Sequence, residues 1–380
     1  MQPPEYYKNR EQTYLKHFFL ERYLEKVAFI IGRYGDFVFV DGFSGPWRAT
    51  GEAFEDTSFM IAVQKLRYVI EGLKKIGRTP TLRCVFVEKT HAAYNDLEQA
   101  VKNIADLKIA TFHGEFEQQI PAIQRYIGTS FALFFIDPTG WTGYGMDAIR
   151  PVLQHRGEVL INFMFDHINR FINEHPNEEV QASFDELFGT NGWRDVIPNG
   201  PGREKAIVDF YCHCLKTTGN YAYVTYTRID HPTKERTYFY LIYGTRHIKG
   251  VQEFRKVEKV FAPEQIRVRL LAKAEKRLDE TGQRSLFSPN LDDLSPLETE
   301  RVEQLAAAKE RFEALIGTFL IGQEVPCEKV FGALLEIPLC WESDVQTLLK
   351  EYHDKLVIEI VGMKPRERTV KVEQTLRRLK

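Results

Sequence analysis

The stretch Phe131–Trp141, FALFFIDPTGW, decides the fold. Phe131 to Ile136 is an unbroken apolar run. A short run of this kind, without alternation, predicts a strand buried on both faces, as in a parallel sheet. It closes on Asp137-Pro138-Thr139-Gly140-Trp141. Open α/β sheets bind their ligands beyond the carboxyl ends of the strands. Asp137, Pro138 and Trp141 are therefore the candidate chemical residues. The plainer reading is a strand ending in a turn, because Pro-x-Gly interrupts any regular element.

The same design occurs upstream. Phe37–Val40 ends in Asp41-Gly42-Phe43-Ser44-Gly45-Pro46, where glycine lets the backbone turn tightly and approach a ligand. Leu82–Val87 ends in Glu88, and a third strand, Leu107–Phe112, ends in His113-Gly114-Glu115. A lone acid after a strand also serves as a helix N-cap. Apolar spacing predicts a helix near 5–31 and strands near 36–41, 82–88, 107–112, 131–137 and 156–164. Helices are expected near 57–76, 90–103, 115–127 and 145–154. Alternation of this kind predicts a doubly wound, Rossmann-like α/β sheet. A helical insertion follows at 166–217. Tyr221–Ile229 and Thr237–Tyr243 then read as a hairpin that adds an antiparallel last strand. The dinucleotide fingerprint GxGxxG is absent, which weakens a nicotinamide reading.

Composition sets outer bounds. The 380 residues are 43% hydrophobic, enough for one large or two moderate domains. No apolar run is long enough to span a membrane, and the start, MQPPEYYKNREQ, is too polar for a signal peptide. The five cysteines include no CxxC pair, which predicts reduced thiols and a cytoplasmic location. Cys212-His213-Cys214 invites a metal reading, but neighbouring sulfurs on a helix diverge, so no metal site is expected. A net charge of -2 confines any nucleic-acid contact to a local patch.

Three segments follow from patterning: a Rossmann-like domain over 1–280, a polar linker with Pro289 and Pro296 over 281–297, and a C-terminal unit over 298–380. The end of the chain reads helix (327–335), helix (342–353), strand (355–361), basic turn (363–368) and strand (369–373), the order of a winged helix-turn-helix. Its second helix carries Glu342, Asp344, Glu351 and Asp354, unsuited to approaching phosphates. Lys364, Arg366 and Arg368 of the wing are the candidate nucleic-acid contacts. A winged helix equally serves as a protein-docking module.

Asp137-Pro138 with a nearby aromatic resembles motif IV of methyltransferases that act on the amino groups of nucleic-acid bases. That resemblance implies that Asp137 and Pro138 hold the acceptor amine and that Trp141 stacks on its ring. Lys16-His17, Tyr23-Leu24, Asp41–Pro46 and Phe135–Gly140, in this order, resemble the three-Cys-motif partner (TcmP) proteins of bacteria and archaea, over most of the chain. The resemblance implies a class I S-adenosylmethionine (SAM) methyltransferase fold, which ends in an antiparallel strand. It also implies SAM as cofactor and a separate three-cysteine protein as partner. By the same resemblance Asp41, Gly42, Phe43, Ser44 and Gly45 cradle the methionine end of the cofactor, Glu88 takes the ribose, and His113 and Glu115 lie at the adenine. Two departures stand out: Trp47 where the loop often has a second glycine, and Thr139 where such motifs have a second proline. Two other readings stay open. One is a non-catalytic scaffold that docks a protein or nucleic acid through the winged helix, which Trp47 favours. The other is a metal-dependent phosphoryl-transfer enzyme using Asp41, Glu88 and Asp137.

Overall fold

All six residues of Phe131–Ile136 are buried in one strand, and the sheet grows outward from it. The computed structural model describes residues 2–45, 54–172, 177–282, 290–364, 367 and 369–380. Pro46, Trp47, Arg366 and Arg368 lie outside the described residues. The main sheet contains β1 (Phe37–Asp41), β2 (Leu82–Glu88), β3 (Lys108–His113), β4 (Phe131–Ile136), β5 (Gly157–Phe163), β6 (Tyr223–Asp230) and β7 (Thr237–Thr245), in the order β3-β2-β1-β4-β5-β7-β6. The first five strands are parallel, and β7 runs antiparallel to both β5 and β6. This is the doubly wound sheet with an antiparallel last strand that the sequence predicts. The carboxyl ends of β1 to β5 therefore share one edge.

The helices are α1 (Glu11–Gly32), α2 (Ser58–Lys75), α3 (His91–Val101), α4 (Phe116–Ile127), α5 (Arg150–Leu153), α6 (Phe165–Phe171), α7 (Glu178–Phe188), α8 (Trp193–Val196), α9 (Arg203–Gly219), α10 (Ile248–Thr281), α11 (Ser295–Gly317), α12 (Cys327–Leu335) and α13 (Glu342–Asp354). Strand residues divide between two cores with period two. Phe37, Phe39, Phe86, Leu133 and Phe135 pack toward α1, α2 and α10, whereas Val38, Val40, Val87, Phe134 and Ile136 pack toward α4 to α9. Rings stack across β1 and β4, Phe37 on Phe131 and Phe39 on Phe135.

One expected helix is much reduced. Residues 145–154 form only the single turn α5. The stretch before it is rich in glycine, and its backbone is held by other elements: Gly145 N–H donates to Glu117 and Met146 N–H to the Glu186 carbonyl.

In the C-terminal unit, β8 (Glu324–Pro326), β9 (Ile358–Val361) and β10 (Thr375–Arg378) form a second sheet in the order β8-β10-β9, beside α11, α12 and α13. The last strand falls at 375–378, not at the expected 369–373. In the observed register Arg377 of β10 pairs with Glu359 of β9 and Glu324 of β8. Short β8 carries too little pattern to be read from sequence.

This unit shares its core with the main domain: Phe312, Val330, Phe331 and Leu334 belong to the same cluster as Phe254 and Phe261 of α10. Gly332 of α12 meets the Tyr223 ring of β6 so closely that a Cβ would lie 2.2 Å from it. Arg255, 1% exposed, donates to the carbonyls of Leu335, Glu336 and Tyr226 and to Glu258, whose other oxygen accepts from Leu339 N–H.

Candidate active site at the strand tips

Asp41 ends the central strand β1 and is fully buried. Its Oδ1 accepts from Phe43 N–H at 3.0 Å and its Oδ2 from Ser58 Oγ at 2.6 Å. Ser58 is the first residue of α2, so the carboxylate lies at the amino end of that helix, where the dipole favours negative charge. Asp41 forms no ion pair among the described residues. Burial pushes its carboxyl up to about 6, with neighbouring Asp137 adding to the effect; the bonds from Ser58 and Phe43 and the charge of Lys16 oppose it.

The loop after β1 is internally tied. Gly42 N–H donates to the Phe135 carbonyl, Ser44 N–H to the Val87 carbonyl, and Ser44 Oγ to the Asp41 carbonyl. A Cβ at Gly42 would come within 2.8 Å of the Phe116 ring, so this glycine is required by helix packing. Phe43 packs on Phe116 with ring centroids 5.8 Å apart. With three successive N–H groups engaged, residues 42–44 do not form a phosphate cradle of free amides.

Asp137, just past β4, is the hub of the site. Lys16 Nζ of α1 reaches its Oδ2 at 2.5 Å, and Asn162 Nδ2 of β5 reaches its Oδ1 at 2.7 Å. These groups line a cavity of about 260 Å³ with Arg10, Thr13, His17, Phe43, Gly45, Asp56, Ser58, Pro138, Thr139, Met164 and Phe239. Arg10 is paired with Asp56 at 2.7 Å. His17 is buried beside the Tyr7 hydroxyl, and burial, reinforced by Lys16 and Arg10, pushes its imidazole well below the ordinary range. The cavity brings together Asp137, Pro138, Phe43 and Gly45, which the sequence singles out, with Asn162 and Ser58, which it does not. The signal for Asn162 was a polar residue late in the otherwise apolar run Val159–Phe163.

Glu88, His113 and Glu115 all lie outside that cavity. Glu88 is buried, and Thr90 N–H fixes its Oε1 at 2.6 Å. His113 is the register partner of Glu88, and its ring packs against Tyr94 and His91 with centroids at 4.9 and 5.3 Å. Glu115 is exposed at the start of α4 and accepts from Gln118. The loop at Ser44 is tied to β2 through its bond to Val87. Trp141 stacks on Phe184, packs against Phe171, and donates to Ser183 Oγ. Its indole is built into the α7 contact and does not line the cavity.

Among the described residues no three His, Cys, Asp or Glu side chains gather as a metal site. Cys212 and Cys214 lie on α9, and all five cysteines are unpaired. A larger cavity, about 580 Å³, lies between the β6–β7 hairpin, α10 and α11. Within it Arg228 pairs with Asp230 and Glu300, and Arg269 with Asp230 and Glu235. No helix among the described residues is long and apolar enough to cross a membrane. In the C-terminal unit the amino end of α13 is occupied: Asp344 pairs with Arg301 and caps Trp341 N–H, and Glu342 accepts from Gln252. Lys364 is exposed.

The strand order and the antiparallel β7 define a Rossmann-like sheet of the class I methyltransferase type. No family model matches the sequence, and no curated protein matches it. Among solved structures the chain is similar to protein LPL1258 of Legionella pneumophila str. Philadelphia 1, family-model DUF519, at 11% identity and TM-score 0.35, over 62% of this chain and 85% of that one. It is also similar to a loganic acid methyltransferase with SAH, at 10% identity and TM-score 0.31, over 100% of this chain and 98% of that one. Likeness at this level bears no weight on function.

Proposed function

We propose that this protein is a SAM-dependent methyltransferase whose acceptor is a nucleic-acid base or a nucleotide-like molecule. The observation that supports it most is Asp41: a fully buried carboxylate at the tip of the central strand, with no cation in contact among the described residues. A buried charge without a counterion is expensive to maintain. The ammonium of the methionine end of SAM, directly or through water, would complete it. Glu88 would take the ribose hydroxyls, oriented by Thr90, with His113, Tyr94 and Glu115 at the adenine side. These residues fit the group. When bound, SAM would supply an electrophilic methyl group to the acceptor, its sulfur keeping the electron pair of the C–S bond and the acceptor's surplus proton leaving to water. The chain's own work is positioning, through Asp137 and its neighbours, which can contribute several kcal/mol of the barrier.

The test is transfer of labelled methyl groups from SAM to mixed nucleic acid. Asp137→Ala should keep SAM affinity and lose turnover. A variant that loses SAM binding, with activity in proportion to occupancy, would assign Asp137 to the cofactor instead.

The C-terminal unit would engage a macromolecular partner, nucleic acid or a three-cysteine protein. The docked amino end of α13 favours the wing, with Lys364, Arg366 and Arg368, as the contact, since a recognition helix needs its amino end free for the groove. Reduced cysteines favour the cytoplasm as the site of action.

A further inference from the structure

Both oxygens of Asp137 are already engaged, Oδ1 by Asn162 and Oδ2 by Lys16. A carboxylate only accepts hydrogen bonds, so it selects the NH₂ end of the Asn162 amide and fixes which way that amide points. Asn162 is 1% exposed, and its Oδ1 has no hydrogen-bond partner among the described residues. An unpartnered buried acceptor is rare and demands an explanation. It belongs to a residue that lines the cavity at the strand tips together with Asp137 and Met164.

We infer that Asn162 Oδ1 is the group that receives the acceptor's N–H, and that Asp137 is the positioning residue holding the Asn162 amide in that orientation. The inference rests on the methyltransferase reading and deepens it by assigning the acceptor's chemistry. The cavity's cations, Lys16 and Arg10, are both neutralised by carboxylates. An anionic acceptor would meet Asp137, Asp56 and a carbonyl oxygen. A neutral planar amine suits them, because one N–H donates in the ring plane to Oδ1 while the nitrogen's π electrons remain free above that plane. At about 260 Å³ the cavity is below the usual ligand range of roughly 300–1,000 Å³, which suits one ring system.

The experiment uses the full chain loaded with SAH, the demethylated cofactor. It is titrated with free bases in matched pairs: adenine and purine, cytosine and 2-pyrimidinone, guanine and hypoxanthine. At least one amine-bearing base should bind about tenfold or more tightly than its amine-free counterpart. Asn162→Leu should retain SAH affinity and lose that preference. Asp137→Asn, which lets the two amides pair in either orientation, should weaken the preference without abolishing it. If Asn162→Leu fails to fold, Asn162→Ala carries the same readouts. Equal binding within every pair, no binding of any base to the loaded protein, or a preference that survives removal of the Asn162 amide would each overturn the assignment. Failure to bind SAH would instead remove the methyltransferase reading beneath it.

Discussion

Two buried charge centres in this molecule are handled in opposite ways. At the junction of α10 with the C-terminal unit, Arg255 and Glu258 are a closed system: the guanidinium meets three carbonyls and a carboxylate, and the carboxylate also takes Leu339 N–H. At the strand tips, among the described residues, Asp41 is buried without a cation in contact and Asn162 holds an acceptor with no donor. The first arrangement needs nothing further, and it locks two parts of the chain into one core. The second leaves a carboxylate without a counterion and an amide oxygen without a donor among the described residues. Satisfaction of buried polar groups, more than their number, separates a structural seam from a site.

The largest effect should come from breaking the closed system. Arg255→Ala leaves Glu258 buried without its partner and strips the junction carbonyls of their donor. Unfolding in denaturant should show a loss of about 3–5 kcal/mol. A loss below about 1 kcal/mol, the scale of a surface pair, would mean that the junction is not the seam described.

The open system should respond with the opposite sign. The Asp41 carboxyl sits at about 6 in the fold against an ordinary 3.8. Below 3.8 it is protonated in both states and the fold bears no penalty. Between 3.8 and about 6 the unfolded chain ionises first, so stability falls as pH rises, and above 6 the whole penalty applies. Asp41→Asn should therefore raise stability at pH 7 by up to about 3 kcal/mol relative to the parent and leave it unchanged below pH 3.8. It should also weaken SAM binding. A variant less stable than the parent at pH 7 would show that the charge is compensated after all.

These contrasts explain what was legible in the sequence. β4, β1 and β2 announce themselves because a buried parallel strand is a nearly continuous apolar run, and the acids at their ends then fall on one sheet edge. The hairpin 221–245 was legible for the same reason, through its aromatic and β-branched residues. What could not be read depends on contacts between residues distant in the chain. Lys16 finds Asp137 only when α1 reaches the sheet edge, and Trp141, expected to stack on an acceptor ring, stacks on Phe184 of α7. In β10 Arg377 meets Glu324 and Glu359 across the sheet, pairings that no local pattern encodes. Gly42 looked like a residue making room for a cofactor, and its space is taken by Phe116.

Smaller effects sharpen the division further. Glu88→Ala should lower SAM affinity by about 1.5–3 kcal/mol, the range for hydrogen bonds to a charged group, while titration with a structural ligand-free readout such as thermal unfolding moves little. Unchanged affinity would place the ribose elsewhere. On the surface of the C-terminal unit, Lys364→Glu should leave stability unaltered. If the partner is nucleic acid, it should weaken binding uniformly across sequences and reduce the salt slope by about one; an unaltered slope would assign the wing to a protein partner.

The most direct test is calorimetric titration of the purified full-length protein with SAM and with SAH at neutral pH. The account predicts saturable binding of both at one site per chain, lost or weakened in Asp41→Asn and Glu88→Ala and retained in Arg255 variants that still fold. A folded sample that shows neither heat nor thermal shift at millimolar SAM would contradict it.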